Sequence, residues 1–282
     1  MAFLVAAAAA LARDEAMASS YRAWANGIIR NPPLPSEPRY SATYDRGGVV
    51  GAAVQRGTGG LFVGASDPVA AATFADDFFA VRGDAAAALQ GIVGMRAPCE
   101  AFAHRWRELT CRSHALRAAL RNHKLTQVEA VPQPSGAARI ATVDDIDWIG
   151  NAQHDFIIEI ALPEDPARLR AIIPRRIEAG QFWLWEDGGT VAFAGWSDAP
   201  PGDGRIAPVY TPPHARGRGY ATALVAALSQ SLLDSGRRRL FLITDLANPT
   251  SNSIYAKIGY QPQSDLFHFD FVATGADVSA QP

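Results

Sequence analysis

Two stretches of the chain carry residues whose types and spacing could do chemistry. In PPHARGRGYATALVAAL, Pro212 to Leu228, two arginines interleave with two glycines just ahead of an alanine- and leucine-rich helical pattern. The first amides of an α-helix lack intrahelical acceptors, and the helix dipole adds partial positive charge there. Gly217 and Gly219 would let an anion approach the backbone, and Arg216 and Arg218 would add charge. Together these suit a phosphate or pyrophosphate at a helix N-terminus; a solvated turn is the plainer alternative. The stretch is not a Walker A loop, which needs Lys-Ser/Thr after its second glycine. Thr222 also stands where a dinucleotide fingerprint has its third glycine.

The second stretch is LFLITDLANPTSNSIYAKIGYQP, Leu240 to Pro262. Its pattern predicts a strand ending near Asp245, a helix with Pro249 as its first residue, and closure at Gly259. Asn248 is placed as an N-cap or as a polar contact. Ile254 and Ile258 form the core-facing pair, with Tyr255 beside it and able to point toward a cleft.

Other elements must position these residues. FWLWEDGGTVAFAGWS, Phe182 to Ser197, reads as strand, Gly-Gly turn, strand, and is followed by the strand RIAPVYT and the helix after Gly219. YSATYDRGGVVGAAVQ, Tyr40 to Gln55, has the same design, with the acidic residue and Gly-Gly in matching places. It is followed by the strand LFVGAS and a helix opened by Asp67-Pro68. The order strand–strand–strand–helix–strand–helix thus occurs twice, which predicts related α+β domains in tandem; chance recurrence of a common hairpin is the alternative. The proline- and glycine-bearing VPQPSGAAR marks the junction, giving residues 1–131, a linker at 132–138, and 139–282. Where the second half has HARGRGYATALVAAL, the first has SDPVAAATFADDFFA, with aspartates for arginines and no glycine pair. At the start of the second half, Thr142 with Asp145 fits a capping arrangement. A helix follows to a break at Pro163–Pro166, and another runs to Gly180.

VYTPPHARGRGYATALVAAL followed by NPTSNSIYAKIGYQP resembles the acetyl-CoA-binding core of the GNAT acyltransferase superfamily, strongly over Ala137 to Val272. The whole chain resembles bacterial tandem proteins in which a degenerate GNAT-like half precedes an active one. The resemblance implies a mixed, mostly antiparallel twisted sheet flanked by helices, and an acetyl-CoA-dependent N-acetyltransferase passing its acetyl group directly to an amine. Carried over by position, it implies that Arg216, Gly217, Arg218, Gly219, Tyr220 and Ala221 receive the CoA pyrophosphate. The strand at Val209, Tyr210 and Thr211 would hold the pantetheine arm and polarise the thioester carbonyl. Asn248 would contact the cofactor arm, and Tyr255 would serve as general acid to the departing thiolate. The chain departs from the family at His214, where Gln or Arg is usual, and Pro208 has no N–H to give. A noncatalytic CoA-binding sensor is the reading from another class.

Transfer also needs the amine neutral. Asp245, Glu159, His154 and Glu186 are candidate bases, each as readily a surface or capping residue, and none is assigned. Trp183, Trp185 and Trp196 are expected in the core. A net charge of −2 gives no global basic field for nucleic acid or an anionic membrane. The apolar opening MAFLVAAAAALA lacks a basic n-region and reads as the start of a domain helix, and no apolar run approaches the ~20 residues of a membrane span. A cytoplasmic protein is expected, with an amine-bearing acceptor as partner and a homodimer left open. Cys99, His104, Cys111 and His114 match no zinc spacing, with His104 and Cys111 on one helical face, so no metal is expected.

Overall fold

The computed structural model describes residues 15–30, 39–45, 49–56, 60–64, 67–161, 165–199 and 202–272. The apolar opening at residues 1–14, the proline-bearing loop at 31–38 and the first Gly-Gly turn lie outside these. The chain forms two compact units, one of residues 1–123, 243–248 and 262–282, the other of 124–242 and 249–261. Among the described residues no helix is long and apolar enough to cross a membrane.

The first unit contains α1 (Glu15–Arg30), β1 (Arg39–Asp45), β2 (Val49–Arg56), β3 (Leu61–Gly64), α2 (Pro68–Arg82), β4 (Gly91–Gly94), α3 (Arg96–Thr110), β5 (Ser113–Leu125, to His123) and β11 (Gln261–Val272, from Pro262). The strand order is β1-β2-β3-β4-β11-β5. One face packs Phe74, Phe78, Phe102 and Trp106 of α2 and α3 on Leu61, Val63 and Ile92. The other packs Met17 and Tyr21 of α1 on Val54, Phe62 and Val93. Each sheet residue meets the opposite face from its neighbour, as the period of two requires.

The second unit holds β6 (Ala137–Ile140), α4 (Ile146–Glu159), α5 (Pro166–Ala171), α6 (Ile173–Glu178), β7 (Phe182–Glu186), β8 (Thr190–Asp198), β9 (Asp203–Tyr210), α7 (Tyr220–Asp234), β10 (Arg239–Asp245, to Leu242) and α8 (Pro249–Ile258). Its strand order is β10-β9-β8-β7-β6. Trp185 and Trp196 face α7 and α8 in one core, with Trp183 packed against it. Phe182, Leu184 and Phe193 face α4 and α6 in another. Both units are therefore sheets with helices on each face, and the order β–β–β–α–β–α–β recurs.

Three details differ from the sequence reading. A cut at 132–138 would leave β11 with the second half, yet β11 pairs antiparallel with β4, Phe267 opposite Gly94 through Asp270 opposite Gly91. Gly91 allows it to fit, since a Cβ there would lie 2.4 Å from the Phe269 carbonyl oxygen. The helix expected up to Gly180 is two short helices, because Pro174 in the first turn of α6 has no N–H to continue α5. Cys111 does not share a helical face with His104: it ends α3 as a left-handed cap at φ 58°. Cys99 is buried within that helix.

Candidate functional site

Strands β9 and β10 are parallel, but they pair only at their beginnings, Asp203 with Arg239 through Arg205 with Phe241. From Ile206 to Tyr210, β9 pairs with β8 alone. The cause lies on the β8 side. Trp196 is opposite Ile206 and Ala194 is opposite Val209, so β9 carries one residue more than β8 over this span. Such a bulge bends a strand and increases its twist. It falls at Ala207–Pro208, where the missing proline N–H costs no ladder bond. Gly195 faces it, because a Cβ there would stand 2.7 Å from the Ala207 carbonyl oxygen. Arg176 of α6 spans the bulge, donating from Nη2 to the carbonyls of Trp196 at 3.0 Å and Ala207 at 3.5 Å. Its guanidinium lies 4.2 Å from the Phe182 ring centroid, and burial lowers its pKa to about 10.

The arginine–glycine turn follows directly. A single 3-10 turn, Pro213–Ala215, leads to Arg216 in extended conformation, then Gly217 at φ +78° and Gly219 at φ +85°. Glycine is needed for that left-handed backbone rather than for room: a Cβ at either position would meet nothing within 4 Å. The backbone N–H groups of Gly217 through Thr222 find no acceptor among the described residues. The next, Ala223, donates to the Gly219 carbonyl at 3.0 Å. A run of unpaired amides at the head of a 15-residue helix thus opens beside the unpaired edge of β9.

The two arginines are not equivalent. Arg216 donates through Nε to the Thr211 carbonyl at 2.8 Å and through Nη2 to Glu159 of α4 at 2.5 Å. It also lies over the Tyr210 ring, 5.6 Å from its centroid. Arg218 is exposed and hydrogen-bonds to no described residue. Of the other expected contacts, Val209 is half-buried on the bulged strand. Tyr210 sends its ring into the core between Phe156 and Phe193, leaving its backbone for a ligand. Burial raises its phenol pKa, and Asp155 and Glu159 raise it further. The Thr211 hydroxyl is buried and has no hydrogen-bond partner among the described residues. Tyr220 is buried too, so only its N–H faces the turn, whereas Ala221 is half-buried.

Tyr255 is on the buried face of α8, 9 % exposed, whereas its neighbour Ile254 is only partly buried. This corrects the expectation that Ile254 and Ile258 form the buried pair with Tyr255 to one side. The Tyr255 ring meets Tyr260 edge-on at 5.9 Å, and Tyr260 is fixed by its hydroxyl to Ser229 at 2.9 Å. Burial pushes the Tyr255 phenol up to about 12. No hydrogen bond to its hydroxyl is found among the described residues. Asn248 is exposed in the 243–248 segment of the first unit, and its N–H donates to the Asp245 carbonyl at 3.1 Å.

Three of the four candidate bases are committed elsewhere. Glu159 pairs with Arg216, Glu186 pairs with Arg139 at 2.8 Å, and Asp245 accepts from the Ala247 N–H at 2.8 Å. His154 is exposed on α4. Sequence reasoning missed Arg176 and also Asp187, which accepts from the Tyr220 hydroxyl. The only sign of Asp187 was its place before Gly-Gly in the repeated hairpin.

The first unit lacks both features among its described residues. β3 and β4 stay paired from Leu61 opposite Ile92 to Val63 opposite Gly94, their full common length. The Asp67 side chain caps α2 itself, accepting from the Ala70 N–H at 2.7 Å.

A mixed sheet that parts at a bulge, next to a glycine turn with free helix amides, defines an α+β class with one open strand edge beside a helix N-terminus. The comparisons bear on that fold. Residues 184–267 match the family model described as FR47-like protein. The chain is similar to a GCN5-related N-acetyltransferase from Sphaerobacter thermophilus, at 17 % identity and TM-score 0.64, over 96 % of this chain and 95 % of that one. A GCN5-related N-acetyltransferase from Kribbella flavida is similar at 16 % identity and TM-score 0.60, covering 90 % and 95 %. A tandem GNAT protein from the clavulanic acid biosynthesis pathway is similar at 14 % identity and TM-score 0.50, covering 93 % and 94 %. No curated protein matches the chain. In fold the chain is similar to these GNAT proteins over most of its length, and residues 184–267 form an FR47-like region.

Proposed function

We propose that the chain is an acetyl-CoA-dependent N-acetyltransferase whose one donor site lies in the second unit. The observation that carries this reading is the run of unpaired amides from Gly217 to Thr222 beside the free edge of β9. The turn suits a pyrophosphate, with Arg218 as the cation at hand and Arg216 shared with Glu159. The free edge offers backbone groups from Val209 onward to an extended pantetheine arm. Bound there, acetyl-CoA supplies an acetyl group already activated as a thioester.

The amine nitrogen forms the new bond to the acetyl carbon while the carbon–sulfur bond breaks. The proton lost by the amine leaves through water or an unassigned base, and the sulfur needs stabilisation as it departs. Tyr255 is the group suited to that, and its pKa limits how. A phenol at about 12 lies roughly 3.5 pH units above a thiol at about 8.5, so full proton transfer is uphill by about 5 kcal/mol. Tyr255 therefore acts as a hydrogen-bond donor that stays protonated throughout the working range, and the thiol acquires its proton as the product leaves. Asn248 is proposed to contact the cofactor arm.

Titration calorimetry with acetyl-CoA, followed by thiol release over a panel of amines, tests the assignment. Micromolar binding with thiol release on at least one amine is expected. Binding without turnover on any amine would leave the sensor reading, and absence of binding would remove both.

A further inference from the structure

We propose that Asp187 is a positioning residue for the pyrophosphate turn, acting through the phenol of Tyr220; this rests on the reading of that turn given above. Asp187 begins the turn between β7 and β8, where its N–H is fixed to the Gly189 carbonyl at 2.9 Å. Its Oδ2 accepts from the hydroxyl of Tyr220 and from Ser135 Oγ at 2.7 Å. Tyr220 is the first residue of α7, directly after Gly219. Its ring lies against Trp185, 6.5 Å between centroids, and Trp185 Nε1 donates to the Ser135 carbonyl at 2.9 Å. The head of α7 is thus fastened to the hairpin by a charge-assisted hydrogen bond inside a slot made by Trp185, Ser135 and Asp187.

The fastening matters because the other holds, Arg216 on Thr211 and Glu159 and the buried Ala215, lie before Gly217. The turn's own backbone bonds are those of Ala215 to Pro212 and Arg216 to Pro213, and Gly217 and Gly219 touch nothing on their Cβ sides. Fixing Tyr220 sets the direction in which the amides of 217–222 point. An anion then meets them already oriented, and the cost of ordering is not charged to binding. The carboxylate has an opposite effect through its charge. Hydrogen bonds from Ser135 and Tyr220 hold Asp187 as an anion and the charge of Arg218 adds to them, so Asp187 draws on the same cation a pyrophosphate would use. Substitution separates geometry from charge. Asp187→Asn keeps an oxygen for Tyr220 and removes the charge, Asp187→Ala removes both, and Tyr220→Phe removes the donor while keeping the ring.

The test uses the full chain with two acyl donors, acetyl-CoA and S-acetylpantetheine, which lacks the pyrophosphate. Tyr220→Phe and Asp187→Ala should lower kcat/KM for acetyl-CoA about tenfold and leave S-acetylpantetheine within about twofold. Asp187→Asn should match or exceed the parent with acetyl-CoA at low salt. Equal losses with both donors, or Asp187→Asn as impaired as Asp187→Ala, would overturn the assignment. Amide exchange in the ligand-free chain decides it independently. Exchange at Ala223, the first hydrogen-bonded amide of α7, should be about tenfold faster in Tyr220→Phe and Asp187→Ala, and unchanged rates refute the positioning role. A parent chain that binds no CoA would refute the pyrophosphate reading, and the exchange rates would still show whether Asp187 holds the turn.

Discussion

Gly217→Val separates what the turn needs for folding from what it needs for binding. The residue sits at φ +78°, and a Cβ built there meets nothing within 4 Å. The fold cost is therefore conformational, about 1–2 kcal/mol for a non-glycine residue in the left-handed region. At roughly 2–4 °C per kcal/mol for a chain of this size, melting should fall by about 2–8 °C. Binding should suffer far more. The empty space at Gly217 is where an anion would reach the amides of 217–219, and the valine methyls would occupy it. Charge-assisted hydrogen bonds contribute about 1.5–3 kcal/mol each, so losing two weakens CoA binding by at least about 3 kcal/mol, or roughly 100-fold in Kd. Gly236→Val is the control: φ is +94°, no atom lies within 4 Å of its Cβ, and it follows the other end of α7. It should melt early like Gly217→Val and bind CoA like the parent. Thermal melts with titration calorimetry decide the matter. A Kd for Gly217→Val within about threefold of the parent, or equal loss in Gly236→Val, would refute the reasoning.

Tyr255→Phe should lower turnover about 10- to 100-fold with CoA affinity within about threefold, since only the departing sulfur loses its donor; single-turnover rates beside calorimetry check this. Because burial raises that phenol to about 12, its contribution to stability is intact below about pH 10 and is lost as pH rises through about 12, so Tyr255→Phe should unfold less steeply than the parent in that window. Glu159→Gln frees Arg216 and removes a like charge near the turn. It should tighten CoA binding a few-fold at low salt and change stability by less than about 1 kcal/mol, as the pair is 44 % and 48 % exposed; an unchanged Kd at every salt concentration refutes it. Asp145 accepts both Arg139 terminal nitrogens at 2.7 Å and the Thr142 N–H at 2.7 Å, which hold its carboxyl below the usual range. Asp145→Asn should cost about 2 kcal/mol at pH 7, and the difference should fade as pH drops below about 4 toward the lowered value; denaturant melts across that range measure it.

The parts of this site that can be read from the sequence are those whose physics is local. Gly217 and Gly219 are next to the helix they open, and a left-handed turn before an apolar helix follows from residue type alone. The repeated hairpin is legible because strand, turn and strand are contiguous, as is the Thr142–Asp145 contact across three residues. The features that escape depend on partners far along the chain. Helical spacing around Ile254 and Ile258 sets Tyr255 beside the core, yet the face buried is decided by where α7 and Tyr260 lie. Arg216 looks like a free cation until Glu159, 57 residues away, is seen within 2.5 Å of it. β11 reads as the last strand of its own half, and only its pairing with β4, over the Cβ-free face of Gly91, shows which sheet it completes.

The difference between the halves also goes deeper than the missing arginines. A phosphate turn and a parted sheet are separate requirements, and each has its own cause. The turn depends on Gly217, Gly219 and a helix head left uncapped. The parting depends on an extra residue at Ala207–Pro208, a glycine opposite to admit its carbonyl, and Arg176 to hold both sides. In the first unit the helix head is filled by the Asp67 carboxylate, and β3 and β4 are paired along their common length. Restoring glycines and arginines there would supply amides without an open strand edge beside them. The two units share the layers and the core, which need only pattern. The proposed donor site lies in one of them, where the strand is interrupted at the residue that can best forgo a hydrogen bond.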